Sequence, residues 1–341
     1  MITVGLIGTG YAAKLRAQAV HADPRSQLVA IAGRDAARTQ ALSQDYPGAI
    51  ATTDWQAVVT RPDLDVVIIA TVNRDHGAIA RTALAAGKHV VVEYPLCLDL
   101  TEAQSLVAQA QQQQRLLHVE HIELLGGVHQ ALIATLPQIG QVFTAHYATI
   151  KPERPAPQRW SYHAPSFGFP LVGALSRVHR LVDRFGAVDS VSCVAQFWQG
   201  REAIASPQAV DFYTTCLCTA QLRFANGVLG TVTYGKGEAL WQSIRRCEVQ
   251  GAAGAIVFEG DTGNLIQPTG TQAIAVGGRR GLFTRDTAAV LDFLTEGTPL
   301  YITPEASVYT LAVATAAAQS AAQGGTAIAI PLAYPQLASP S

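Results

Sequence analysis

The chain has 341 residues, 49% hydrophobic and 14% charged, with a formal net charge of −1. That length admits two domains and a large core, and the composition excludes a disordered chain. A near-zero charge excludes the basic footprint of a nucleic-acid or anionic-membrane binder, and no apolar run reaches the length of a membrane span.

Taken in chain order, Val4, Leu6 and Ile7 predict a short buried strand. Gly8, Gly10 and Ala13 then fit G-x-G-x-x-G/A, and a helix is predicted from Tyr11 with Ala12 in its first turn. Gly8 permits the tight turn, Gly10 lets backbone approach a pyrophosphate, and Ala13 lets the helix pack on the strand. The helix start offers N–H groups and a positive dipole end to phosphates. A second strand, 27–32, completes a βαβ unit of the expected length.

NAD sites usually place Asp or Glu at the end of that second strand. Here stand Gly33, Arg34 and Asp35. Gly33 brings no carboxylate to repel a 2′-phosphate, and Arg34 is able to pair with one, with Arg38 one turn on to join it. NADP(H) is therefore the expected cofactor. Asp35 reads as the N-cap or first-turn acid of the next helix.

Strands at 66–70, 90–92 and 116–119 alternate with helices at 34–44, 76–86 and 100–114, which predicts a doubly wound parallel sheet. Beyond about residue 140 the pattern changes. Strands at 142–150, 191–197, 214–224, 227–234, 247–250 and 255–258 follow, with Asn226-Gly227 as a hairpin turn. A helix at 170–185 interrupts them, and helices at 284–296 and 304–322 close the chain. The predicted class is α/β. A Rossmann dinucleotide-binding domain, 1–122, precedes an α+β domain, 123–341, with a large, mostly antiparallel open sheet, and the closing helices are free to return to the first domain.

Cys97, Cys193, Cys216, Cys218 and Cys247 have no metal-type spacing, so reduced thiols and no metal are expected. The N-terminus runs directly into the first strand and leaves no room for a signal peptide, so a cytoplasmic location is expected.

Ala70-Thr71-Val72-Asn73 with His76 resembles the A-T-P-N-x-x-H turn of the glucose–fructose oxidoreductase and inositol dehydrogenase family. Gly87-Lys88-His89-Val90-Val91-Val92-Glu93 resembles its G-K-H-V-x-x-E-K-P strand. The resemblance spans essentially the whole chain. It implies a cofactor beside Thr71, Asn73, His76 and Glu93, with His76 orienting the turn. The departures are informative. Tyr94 replaces the family's lysine, Ser176 stands at the Asp position of its D-x-x-x-H pair and Arg180 at the His position, while Asp183 keeps the register. His179 lies one residue off, about 100° round the helix, and does not substitute. Arginine stays protonated and tyrosine titrates near 10, so the proton relay of sugar oxidation is lost while cationic charge is gained.

A conjugated, anionic hydride acceptor suits such a site. Glu93-Tyr94-Pro95 is the form of this motif in the biliverdin reductase branch of the family. The stretch from His118 to Leu125, Pro155-Ala156-Pro157-Gln158-Arg159-Trp160, Phe167-Gly168-Phe169-Pro170, Ser176-Arg177-x-x-Arg180 and Gly278-Arg279-Arg280-Gly281-Leu282-Phe283 resemble the cyanobacterial members. The resemblance implies NADPH-dependent reduction of biliverdin to bilirubin at the central methine carbon, C10. Its candidate catalytic residues are Arg177, Arg180, Tyr94 and Glu123. Arg177 is assigned to protonation of a pyrrole nitrogen, helped by water or a propionate. Arg177, Arg180, Trp160, Phe167 and Phe169 are candidate substrate contacts, and Pro95 is a candidate cis residue. The implied partner is this small molecule alone, with no nucleic acid, membrane or obligatory protein partner. Two alternatives stay open: a sugar or imine oxidoreductase of the same family, and a non-catalytic bilin- or NADP-binding protein.

Overall fold

Six short apolar strands build the sheet of the first unit in a computed structural model that describes residues 1–335. In chain order the elements are β1 Ile2–Ile7, α1 Tyr11–Ala22, β2 Ser26–Ala32, α2 Ala36–Gln44, β3 Ile50–Thr52, α3 Trp55–Val59, β4 Val66–Ile69, α4 Asn73–Ala85, β5 His89–Val92, α5 Leu100–Gln112 and β6 Leu117–Val119. All strand pairs are parallel and the order is β3-β2-β1-β4-β5-β6. Strands of such a sheet are covered on both faces, which is why Val66 to Ile69 reads as an unbroken apolar run and is wholly buried. The order reverses between β1 and β4, so the carboxyl ends of these two strands flank the crevice where such sheets bind ligands. β3 and α3 are absent from the sequence-based expectation. Each is very short, and β3 has no fully buried residue to give it a period.

The second unit comprises residues 123–280 and those from 309 onward, and residues 281–308 belong to the first unit. Its elements begin with α6 Gly127–Thr135, β7 Val142–Pro152, α7 Ala164–Phe167, α8 Pro170–Gly173, α9 Ser176–Phe185, β8 Val188–Gln199 and β9 Glu202–Ile204. They continue with β10 Thr215–Phe224, β11 Leu229–Gly237, β12 Ile244–Gly251, β13 Gly254–Glu259, β14 Thr262–Gln267 and β15 Gly270–Ile274. Helix α10, Leu282–Glu296, lies in the first unit, the boundary falls inside α11, Pro304–Ala322, and β16 Ile328–Ala329 ends the second unit's sheet. Among the described residues this sheet has ten strands in one path and branch, ordered β15-β14-β13-β12-β7-β11-β10-β8-β16 with β9 on β8. It is mixed, because β11 runs parallel to β7 while the other pairs are antiparallel. On β10, Cys216, Cys218, Ala220 and Leu222 point to the buried face while Gln221 and Arg223 are exposed, the alternation of a half-covered sheet. α9 packs on β7 and β11.

The helix expected at 170–185 is two helices, α8 and α9. Ala174 leaves the helical region at φ −111° and ψ 39°. Its neighbour Gly173 is pressed against Phe167, where an added Cβ would lie 2.6 Å from the ring. Asn226-Gly227 makes the expected turn: Gly227 has φ +88°, and the Asn226 side chain accepts from Val228 N at 3.2 Å. All five cysteines are free and buried, and burial pushes the Cys97 and Cys193 thiols up to about 12. No helix among the described residues is long and apolar enough to cross a membrane.

Candidate functional site

In the first unit, Gly8 has φ +130°, and a Cβ there would fall 2.2 Å from the Ala70 carbonyl oxygen. Only glycine fits. Gly10 caps α1 without any side chain, and nothing lies within 4 Å of where its Cβ would be. The first turn of α1 is therefore an open cradle of N–H groups, which fits a pyrophosphate. Tyr11 is exposed beside it, Ala12 is half-buried, and Ala13 is buried against the strand. Gly33 is wedged between Thr9 and Thr39, each 2.5 Å from a would-be Cβ. Asp35 stands at the N-cap of α2. Its carboxylate accepts from Arg38 N at 3.0 Å and caps α2. Arg34 and Arg38 are exposed. Thr9, Lys14, Gln18, Arg38, Asp45 and Tyr46 line an adjoining groove, which places Lys14, a cation that the sequence reading missed, on the same groove as Arg38.

Asn73 is buried at the start of α4. His76, one turn on, has Nδ1 2.8 Å from the Pro95 carbonyl and Nε2 3.4 Å from the Thr71 carbonyl. Burial lowers its pKa, so the ring is neutral and the shorter contact takes its one N–H. His76 thus ties the Thr71 turn to the segment after β5. There the Tyr94–Pro95 bond is cis, and the Tyr94 ring stacks on His121 at 5.4 Å. Glu93 accepts from Arg16 Nε at 2.8 Å. Arg16 also donates to Asp286, which accepts from Tyr301 at 2.6 Å and lies 2.8 Å from His118 Nε2. Burial pushes the Glu120 carboxyl well above the usual range, and the neighbouring Glu93 adds to it. Burial also opposes ionisation of Asp286, but the Arg16 charge overrides it and holds that carboxyl low.

In the second unit, α9 presents the two arginines differently. Arg177 is half-buried and donates from Nη1 to Ser176 Oγ at 2.6 Å. Arg180 is only 3% exposed, which excludes an ordinary surface arginine. Its Nη2 donates to Glu123 at 3.2 Å, and its guanidinium lies 5.1 Å from the Tyr147 ring centre. Glu123 also accepts from Arg279. His179 is turned into the core, with Nδ1 2.6 Å from Thr310 Oγ1, and burial pushes its pKa down to about 4. Asp183 lies 2.8 Å from His129 Nε2 and accepts from Arg184 at 2.6 Å. Burial would raise its pKa, but those partners bring it down to about 2.

Of the three aromatic candidates, Trp160 is exposed, Phe169 is half-buried and Phe167 is buried. Trp160 and Phe167 are tilted neighbours at 5.7 Å. Beneath them lies Lys236, a residue with no sequence signal beyond a lysine in a strand. It is 3% exposed, with Nζ 3.7 Å from the Phe167 ring centre and 4.7 Å from that of Tyr162, and it donates to the Ser161 carbonyl. Burial lowers its pKa to about 8. Phe167 is therefore first a packing residue, and Trp160 is the open member of the pair.

The strand order, glycine turn and open helix start define a dinucleotide-binding domain joined to a sheet-based second unit. The chain belongs to the Gfo/Idh/MocA oxidoreductase family. Residues 2–121 match its "NAD-binding Rossmann fold" and residues 136–330 its "C-terminal alpha/beta domain". The structure is similar to that of a Synechocystis biliverdin reductase solved with biliverdin and NADP+, with 48% identity, a TM-score of 0.89, and coverage of 94% of this chain and 99% of that one. A levoglucosan dehydrogenase with bound NADH has a TM-score of 0.82 over 97% of this chain and 99% of its own, at 19% identity, which shows the fold alone. Mouse biliverdin reductase A is 34% identical over 134 residues, 39% of this chain and 42% of that protein. The Escherichia coli oxidoreductase YdgJ, itself uncharacterized, is 32% identical over 45% of this chain and 44% of its own. These matches span less than half the length of those two curated relatives.

Proposed function

We propose that this protein is an NADPH-dependent biliverdin reductase. The observation that carries the reading is the 48% identity, across 94% of the chain, to an enzyme solved with biliverdin and NADP+. The buried Arg180 beside the half-buried Arg177 supports it, because α9 offers fixed cations where sugar dehydrogenases of the family carry an acid–base pair.

When bound, NADPH supplies a hydride for C10 of the bilin, and a proton from solvent completes bilirubin. Gly8, Gly10 and the first turn of α1 hold the pyrophosphate, and Arg34 pairs with the 2′-phosphate. Thr71, Asn73 and His76 shape the turn beside the cofactor, and Glu93 anchors that edge through Arg16. Hydride addition leaves negative charge spread over the pyrroles and lactam oxygens. Arg177 and Arg180 stabilise that charge, and Arg177 orients the proton that reaches a pyrrole nitrogen. Tyr94 lines the nicotinamide pocket, and its stacking on His121 fixes its ring plane.

Mixing the protein with NADPH and biliverdin tests the reading, with yellow bilirubin expected in place of the green substrate. A bilin spectral shift without turnover indicates a binding protein, and cofactor oxidation or reduction only with sugars or imines indicates a dehydrogenase. The cofactor choice has its own test. A charged hydrogen bond contributes about 1.5–3 kcal/mol, so Arg34→Ala is expected to lower the NADPH-over-NADH preference roughly tenfold or more. Equal use of both cofactors by the unaltered protein overturns that assignment.

A further inference from the structure

Lys236 of β11 stands opposite Cys216 of β10 in the antiparallel ladder, and its side chain enters the buried face of the sheet. Its Nζ lies 3.7 Å from the Phe167 ring centre and 4.7, 5.7 and 5.9 Å from those of Tyr162, Tyr213 and Tyr234. It donates to the Ser161 carbonyl, which also accepts from Tyr213 Oη at 3.1 Å. The nearby Glu153 gives its carboxylate to Lys151, Arg159 and Tyr162 instead. Removing an ammonium from water is costly, and the ring faces offset that cost only while the charge sits among them.

The groups that Lys236 holds are the two supports of Trp160. Ser161 follows Trp160 in one short turn, Trp160–Tyr162, and the Trp160 ring leans on Phe167 at 5.7 Å. Tyr162 and Phe167 are buried, whereas Trp160 is 38% exposed. An indole open on one side and steadied on the other by a buried cation has the form of a stacking platform.

We propose that Lys236 is a positioning residue for the substrate: its caged ammonium pins the Ser161 carbonyl and the Phe167 ring, and so holds Trp160 as a platform for a flat, conjugated ligand. The inference rests on the reductase reading above and deepens it, the ligand being the bilin. The pin needs the charge, because a neutral amine keeps a donor for Ser161 but loses its attraction to the rings. Burial brings Lys236 down to about 8 and holds Tyr162, Tyr213 and Cys216 above their ordinary ranges. Burial also opposes ionisation of Glu153, but hydrogen bonds from Tyr162 and Lys151 override it and hold that carboxyl low. Lys151 and Arg159 add their positive charges nearby. Between about pH 7 and 9 the cage therefore changes charge at Lys236.

The test follows steady-state reduction of biliverdin by NADPH from about pH 6.5 to 9 in the unaltered protein, Lys236→Met, Trp160→Leu and the double variant. In the unaltered protein the KM for biliverdin is expected to rise about fivefold as pH passes the Lys236 pKa, with kcat changed less than about twofold. Lys236→Met is expected to show the raised KM at every pH. The double variant is expected to match the larger single effect, as residues acting through one another require. A pH-independent KM in an unaltered protein that forms bilirubin overturns the pin and leaves the reductase reading standing. So does a rise with pH that Lys236→Met retains, or a double variant in which the two effects multiply. No bilirubin from the unaltered protein at any pH overturns the reductase reading and the pin with it.

Discussion

Arg177→Ala is expected to remove most biliverdin turnover, and Arg180→Ala to weaken substrate binding as well as rate. The two residues are neighbours at i and i+3 on α9, yet their surroundings differ. Arg177 is half-buried and steadied by Ser176, so it retains access to a ligand, and its loss removes charge stabilisation that develops during the reaction. Arg180 is fixed by burial and by Glu123 before any ligand arrives. Its loss leaves Glu123 with Arg279 alone and removes a fixed cation from α9, so KM is expected to rise with the fall in kcat. Steady-state reduction by each variant measures this, with NADPH binding followed separately by fluorescence. Cofactor affinity is expected to hold, because the glycine turn proposed to hold the phosphates belongs to the first unit. If both variants keep more than about a tenth of kcat/KM, a loss below about 1.4 kcal/mol, the protonation role moves to Tyr94 or Glu123.

Much of this was legible because the chemistry is local. The glycine turn, the absence of an acid at Gly33, the cap at Asp35 and the Asn226-Gly227 hairpin are each set by a few adjacent residues. The strands of the first sheet were legible because two-sided burial leaves unbroken apolar runs. β14 and β15 were not legible, since β14 buries two residues and β15, an edge strand, buries none. The break between α8 and α9 depends on the contact of Gly173 with Phe167, which no helical period encodes. Long-range pairing is the deeper limit. Glu123 and Arg279 are 156 positions apart, and Arg16 and Asp286 are 270 apart. Motif resemblance drew attention to the segment around Arg279, but only the fold gives it a partner. Burial works the same way for Lys236, whose surroundings come from Tyr234 on its own strand and from two other stretches, 161–167 and 213–216.

Arg16→Met is expected to destabilise the first unit by about 3–5 kcal/mol, the usual consequence of removing one partner from a buried ion pair. Arg16 is wholly buried and is the cation that faces Asp286, Glu93 and Glu120 together. Without it, three carboxyl groups share one interior. Two of them, Asp286 and Glu120, are buried. The expected readout is a lower thermal midpoint for the unfolding step that involves the first unit, with α9 chemistry in the second unit spared where the protein remains folded. A double variant, Arg16→Met with Asp286→Asn, is expected to lose less than Arg16→Met alone, because the buried carboxylate paired with the missing guanidinium is then removed as well. The pH dependence has a definite sign. Asp286 is held below its ordinary range in the folded protein, so its contribution is complete above the unfolded carboxyl pKa of about 4 and is lost as pH falls below it. The gap between the unaltered protein and Arg16→Met therefore narrows in acid. Equal stability of the two at neutral pH would mean that the buried carboxyls take up protons at no appreciable cost, and that Arg16 does not organise the edge on which Glu93 and Tyr94 stand.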